Sequence, residues 1–205
     1  MAAQPAPSQP PRSATAEAFL DAAERLLVEA GHAGISTRRL AAEAGANQGL
    51  VHYYFGSIDE LFVQVLERFT DRLVARQREM YAADVPFLEK WRAAWRFQEE
   101  DIQAGYSKIW MELQALSWSH PELRPRVARV NGEWRAVLRD AFELAAREYG
   151  LAGEDFPVDA LVALTMTFGQ GYALERLEGI DEGHGALLDW IERWLESLDQ
   201  RRRTR

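Results

Sequence analysis

The sequence predicts an all-α protein, with a small N-terminal cluster of three helices followed by a larger helical domain. Three observations predict it. Apolar residues recur at the 3.6-residue spacing of amphipathic helices from residue 14 almost to the end of the chain. The periodic segments are punctuated by glycines, prolines and helix-capping residues. No stretch shows the strict alternation of a half-buried strand.

The elements follow in order. Residues 1–13 hold four prolines and almost no large apolar side chain, which predicts a disordered leader. From Ala14 to Ala30 the apolar stripe is Phe19, Ala22, Ala23, Leu26, Leu27 and Ala30, ended by Gly31 and Gly34. Ser36 is a fitting N-cap for a second short helix to about Ala44, which Gly45 stops. A third runs from about Asn47 to Tyr54. The segment Ser57-Ile58-Asp59-Glu60 is a capping box that opens a long helix with Leu61, Phe62, Val65, Leu66, Phe69 and Leu73 on its apolar face, fading near Tyr81.

Beyond Pro86 the composition changes, and five of the seven tryptophans lie between Trp91 and Trp134. Helices are expected over about 87–103, 105–118 and 122–149, then 158–178 and 184–199, with breaks at Pro121, over 150–157 and over 179–185. The expected units are thus 1–13, 14–56, 57–200 and a basic tail over 201–205, where more often than not such a run is disordered and solubilising.

Composition excludes several function classes. The chain has 205 residues and no cysteine, so a disulfide scaffold, a thiolate zinc site and a cysteine nucleophile are ruled out. No signal-peptide layout or membrane-length apolar run is present, so a soluble, cytoplasmic chain with no membrane partner is expected. The four histidines are scattered without metal-ligand spacing, no serine sits in a nucleophile elbow, and Gly169-Gln170-Gly171 follows no strand. No metal, cofactor or enzymatic activity is therefore expected. The acidic run Glu99-Glu100-Asp101 reads as a solvated helix face. A net charge of −8 argues, taken alone, against a nucleic-acid partner. Residues 1–56 carry four arginines against five acids, a net of −1.

Residues 35–55 nevertheless form a helix-turn-helix pattern. Gly45 supplies the positive φ and close approach that the turn needs. The inward positions Leu40, Ala41, Ala44, Val51 and Phe55 are apolar and often small, while Thr37, Arg38, Asn47, Gln48, His52, Tyr53 and Tyr54 face outward. An ordinary solvated face carries Glu and Lys; this one carries amides and aromatics that suit a DNA groove. The plain alternative is a helical cluster with a polar outer face. The motifs Thr37-Arg38-Arg39-Leu40-Ala41, Ala44-Gly45-Ala46-Asn47-Gln48-Gly49, Val51-His52-Tyr53-Tyr54-Phe55 and Ser57 to Leu61 resemble the DNA-binding domain of the TetR family of transcriptional regulators, over about residues 15–65.

The resemblance implies roles. Thr37 and Arg38 would hold phosphates, and Gln48 would reach a base edge in the major groove. Asn47 would cap the third helix, Gly49 would let its N-terminus approach the duplex, His52 and Tyr53 would meet bases or phosphate, and Tyr54 would donate to phosphate. Three positions depart from the family pattern: the usual Tyr-x-His order is exchanged as His52 and Tyr54, Ile58 replaces a lysine, and Asn47 replaces a commoner serine.

In the C-terminal part, aromatics at helical spacing carry two readings, simple core or the wall of a cavity for an apolar or aromatic effector. The candidate lining is Trp91, Trp95, Gln98, Trp110, Gln114, Trp134, Thr165 and Phe168. The last two helices carry wide apolar stripes, so Leu164, Gly169, Tyr172, Leu187, Leu188, Ile191, Trp194 and Leu195 are the candidate face of a homodimer. The function expected from this resemblance is a ligand-responsive repressor on a pseudo-palindromic double-stranded DNA operator. The alternative is an all-helical ligand-binding protein or enzyme without DNA binding.

Overall fold

The computed structural model describes residues 13–151 and 156–204, and the expected leader falls almost wholly outside them. Among the described residues every regular element is helical: α1 (Ala14–Ala30), α2 (Thr37–Ala44), α3 (Gly49–Phe55), α4 (Ile58–Ala82), α5 (Phe87–Gln103), α6 (Tyr106–Ser119), α7 (Arg124–Tyr149), α8 (Val158–Leu177) and α9 (His184–Arg203). Two single 3₁₀ turns, His32–Gly34 and Pro121–Leu123, precede α2 and α7. The chain divides into two compact units, Met1–Val65 and Leu66–Arg205. The division falls inside α4 rather than at its start near Gly56.

In the first unit the caps at Ser36 and Ser57 act where the sequence places them, and Ser13, assigned to the leader, caps α1. The Ser13 hydroxyl accepts from the backbone N–H of Ala16 at 3.2 Å, Ser36 from that of Arg39 at 3.2 Å, and Ser57 from that of Glu60 at 3.0 Å. Each satisfies one of the donors that a helix start leaves unpaired. Gly45 takes φ +62° as the left-handed C-cap of α2, a conformation that costs a residue with a Cβ roughly 1–2 kcal/mol. Phe19, Leu20, Leu27, Leu40 and Val51 are fully buried, and Phe19 meets Phe55 edge-on at 6.2 Å between ring centroids. The core thus fixes α3 through the same residues that pack α1.

In the second unit one core cluster joins Phe87 and Leu88 of α5, Ala141, Ala145 and Tyr149 of α7, Phe156, and Leu195 and Leu198 of α9. Glu67 on α4 takes Arg126 of α7 as a two-pronged partner and Arg129 at 2.7 Å, which ties the second half of α4 to α7. The start of the basic tail, whose role the sequence leaves unassigned, is helical. α9 continues to Arg203, with Arg201 donating to the Ser197 carbonyl at 3.1 Å and Arg202 reaching Asp199 at 3.1 Å and Glu148 at 3.2 Å. Cations at a helix C-terminus complement its dipole, so the arginine run extends α9.

Candidate DNA-reading face and ligand cavity

The outward positions of α2 and α3 are built by what is buried behind them. With Leu40, Ala41, Val51 and Phe55 held in the core, the helical turn leaves Arg38, Asn47, Gln48, Gly49, His52 and Tyr53 exposed and Thr37 and Tyr54 partly so. Asn47 turns its Oδ1 onto the backbone N–H of Gly49 at 2.9 Å, which orders the entry to α3. Tyr53 is 77% exposed and packs edge-on against Tyr54 at 4.9 Å. His52 Nδ1 lies 2.8 Å from the carbonyl of Gly56, so the ring is anchored at the end of its own helix.

The arginines of this unit divide sharply. Arg25 pairs with Glu43 and Arg39 with Glu29, both at 2.9 Å, and Arg39 also donates to the Gly34 carbonyl at 3.2 Å. Such exposed pairs contribute about 0–1 kcal/mol each, so their main effect is to occupy the cation. Arg38 has no partner among the described residues and stands exposed at the start of α2. Its guanidinium is available for an external anion.

In the second unit a cavity of about 190 Å³ lies among α4 to α8. Trp91, Trp95, Gln98, Trp110, Trp134 and Thr165 line it, so six of the eight residues singled out from sequence come together. Gln114 and Phe168 do not line it; Phe168 instead packs on Trp95 at 5.6 Å. Trp91 and Trp95 meet at 5.4 Å with planes 68° apart, and Phe69 stacks on Tyr106 at 5.9 Å. Burial pushes the phenol of Tyr81, another lining residue, up to about 12, so it stays neutral.

Three buried polar lining residues, Gln77, Asp101 and Ser107, escaped the sequence reading. Gln77 and Asp101 are each only 8% exposed. The signal was present in both helices. Gln77 continues the Phe69, Leu73 row of α4 at i+4 spacing, and Asp101 falls on the Trp91, Trp95, Gln98 face of α5. The acidic run is therefore not a uniform solvated face, because at 100° per residue its three members point apart. Glu100 faces solvent, Asp101 faces the cavity and bonds Arg76 at 2.6 Å, and Glu99 accepts from the Tyr172 hydroxyl and from Arg176 at 3.3 Å.

The expected dimer face is only partly outward. Tyr172 and Leu195 are buried within this chain, Ile191 packs on the core cluster, and Gly169 lines the cavity. Burial, followed by the bond to Glu99, pushes the Tyr172 phenol up to about 12. Leu188 is half-buried, whereas Leu164, Leu187 and Trp194 are exposed. Leu174, Leu177, Ile180 and Trp190, outside the face expected from sequence, join them. α8 is apolar nearly all round, so one side enters the core while the other stays uncovered.

The family model for bacterial regulatory proteins of the tetR family matches residues 19–65. An HTH-type transcriptional regulator of Xanthobacter autotrophicus is 26% identical over 180 residues, spanning 83% of this chain and 85% of that one. The HTH-type transcriptional regulator BetI of Burkholderia mallei is 32% identical over 117 residues, 55% of this chain and 59% of its own. The crystal structure of a proposed TetR-family regulator from Rhodococcus sp. superposes with a TM-score of 0.69 at 21% identity, covering 87% of this chain and 96% of that one. No helix among the described residues is long and apolar enough to cross a membrane.

Proposed function

We propose that the chain is a TetR-family DNA-binding transcriptional regulator, supported by the family match over residues 19–65 and the HTH-type relatives, and that it is a cytoplasmic repressor that releases a pseudo-palindromic operator when an apolar or aromatic effector enters the cavity. The observation that carries the reading is the outward face of α2 and α3, where hydrogen-bonding side chains stand on a buried apolar frame. Such side chains read base edges, while backbone contacts set register. Thr37, Arg38 and Tyr54 hold phosphates in this reading, and Gln48, His52 and Tyr53 meet the groove floor. An effector can act only by binding two states of the protein with different affinity.

The test is a mobility shift with DNA from upstream of the chain's own gene and with a selected DNA pool. A salt-sensitive, sequence-selective complex is the expected result. Failure to shift either DNA at any protein concentration below that of non-specific binding would sink the reading.

A two-fold homodimer through α8 and α9 accompanies this function, because paired half-sites need paired reading heads. What supports it is that each of the two helices leaves large apolar side chains uncovered, Leu164 of α8 at 65% exposure and Trp190 of α9 at 60%. Large apolar side chains left exposed in number on the same helices mark an interaction surface. Trp190→Asp is expected to convert a dimer to a monomer in sedimentation velocity while leaving the helical circular-dichroism signal in place. A variant still dimeric at micromolar concentration would move the interface elsewhere.

A further inference from the structure

We propose that the cavity selects a small ring-bearing amine in its protonated, N–H-bearing form, and not a carboxylate or an uncharged hydrocarbon. This rests on the effector-cavity reading above and adds the chemical class. Three observations lead to it. The first is charge. Among the described residues no lysine, arginine or histidine lines the cavity, and the one charged lining residue is the carboxylate of Asp101. An anionic ligand would be desolvated there with no countercharge to meet it. The cation paired with Asp101 is Arg76, which bonds it at 2.6 Å but lies 3.9 Å from Glu100 as well, so one guanidinium serves two carboxylates, while the buried Lys90 ammonium is taken by the Tyr81 carbonyl at 2.8 Å. The cluster is one negative charge in excess. Burial accordingly raises the Asp101 carboxyl above its ordinary range despite the pull of Arg76, the behaviour of an anion short of compensation.

The second observation is an unanswered acceptor. Gln77 lines the same cavity, and its buried Oε1 has no hydrogen-bond partner. An unsatisfied buried acceptor favours a ligand that brings a donor. Asp101 gives Oδ2 to Arg76, and its other oxygen can take a second donor. The third observation is the wall. Trp91, Trp95, Trp110 and Trp134 present indole rings, the side chains whose faces attract cations most strongly. Size narrows the class further: an apolar cavity of roughly 150 Å³ accepts benzene, so about 190 Å³ suits one ring with a short aminoalkyl arm.

Three probes share one ring and differ in charge: 2-phenylethylamine, 2-phenylethanol and phenylacetate. Each is titrated at neutral pH into the full chain, with intrinsic tryptophan fluorescence as the readout. The amine is expected to bind about tenfold tighter than the alcohol, as a desolvated cation–π contact implies, and phenylacetate weakest. Asp101→Asn should erase the preference for amine over alcohol, and Gln77→Leu, which spares the Arg76 pair, should weaken the amine more than the alcohol. Thermal melts of both variants establish that they fold; should Asp101→Asn not fold, Gln77→Leu decides. Tightest binding by phenylacetate or by the alcohol overturns the amine assignment and leaves an effector cavity standing. So does an amine preference unchanged in the variants. Binding by none of the three overturns it as well. A selective amine that leaves the protein–DNA complex intact in the mobility shift keeps the ligand class and sinks its role as effector.

Discussion

Replacing Phe19 by alanine is expected to cost the N-terminal unit about 3–5 kcal/mol, the range for emptying a buried phenylalanine site. Phe19 is fully buried and meets the Phe55 ring edge-on at 6.2 Å. The cavity left behind would remove the support of α3 at its last residue. Domains of ordinary stability hold only about 5–15 kcal/mol in reserve, so DNA binding should collapse with the fold of this unit. Urea denaturation followed by circular dichroism measures the loss. A change below 1 kcal/mol would show that the Phe19 pocket closes over the missing ring and that α3 is held by other contacts.

The second large effect concerns recognition. Gln48→Ala is expected to cost about 1–3 kcal/mol at one base pair of each half-site, the worth of a bidentate amide–base contact. Gln48 is exposed immediately before α3, where a side chain enters a groove first. Arg38→Ala serves as the contrast. It should weaken binding to all sequences alike and lower the slope of log K against log salt by about one unit, since it removes one phosphate contact. Mobility shifts with the operator and its single-base variants, run at several salt concentrations, separate the two. Uniform weakening by Gln48→Ala would reassign that residue to the backbone.

The helix-turn-helix pattern that the family model matches, the all-helical class and the caps of α2 and α4 were legible from sequence because they rest on local chemistry. Ser36 before an apolar stripe, Gly45 after one, and the Ser57 to Glu60 box each specify a backbone conformation without help from distant residues. What escaped was set by packing between helices. Tyr172 and Leu195 sit on apolar stripes that cover the interior of their own chain, while Trp190 and Leu174 carry the uncovered side. Periodicity finds that a helix has an apolar face but not which neighbour meets it. Gln77 and Asp101 were lost differently. A polar residue inside a stripe reads as an interruption, whereas here it is the polar fitting of an aromatic cavity. Phe168 and Gln114 show the converse, because correct type and spacing did not bring them to the cavity wall.

The anchoring of His52 fixes more than the direction of its ring. A carbonyl oxygen can only accept, so the contact with Gly56 at 2.8 Å requires that Nδ1 carry the hydrogen. In the neutral ring the outward Nε2 is then a bare lone pair, chosen by the protein's own backbone before any duplex arrives. Such a tautomer is matched to the exocyclic amino groups of adenine and cytosine and mismatched to the carbonyls of thymine and guanine. The tyrosine that the family pattern places at this position carries a hydroxyl that rotates to donate or accept. If His52 meets a base as proposed, exchanging that hydroxyl for a tethered imidazole turns an adaptable contact into a one-way question put to the base.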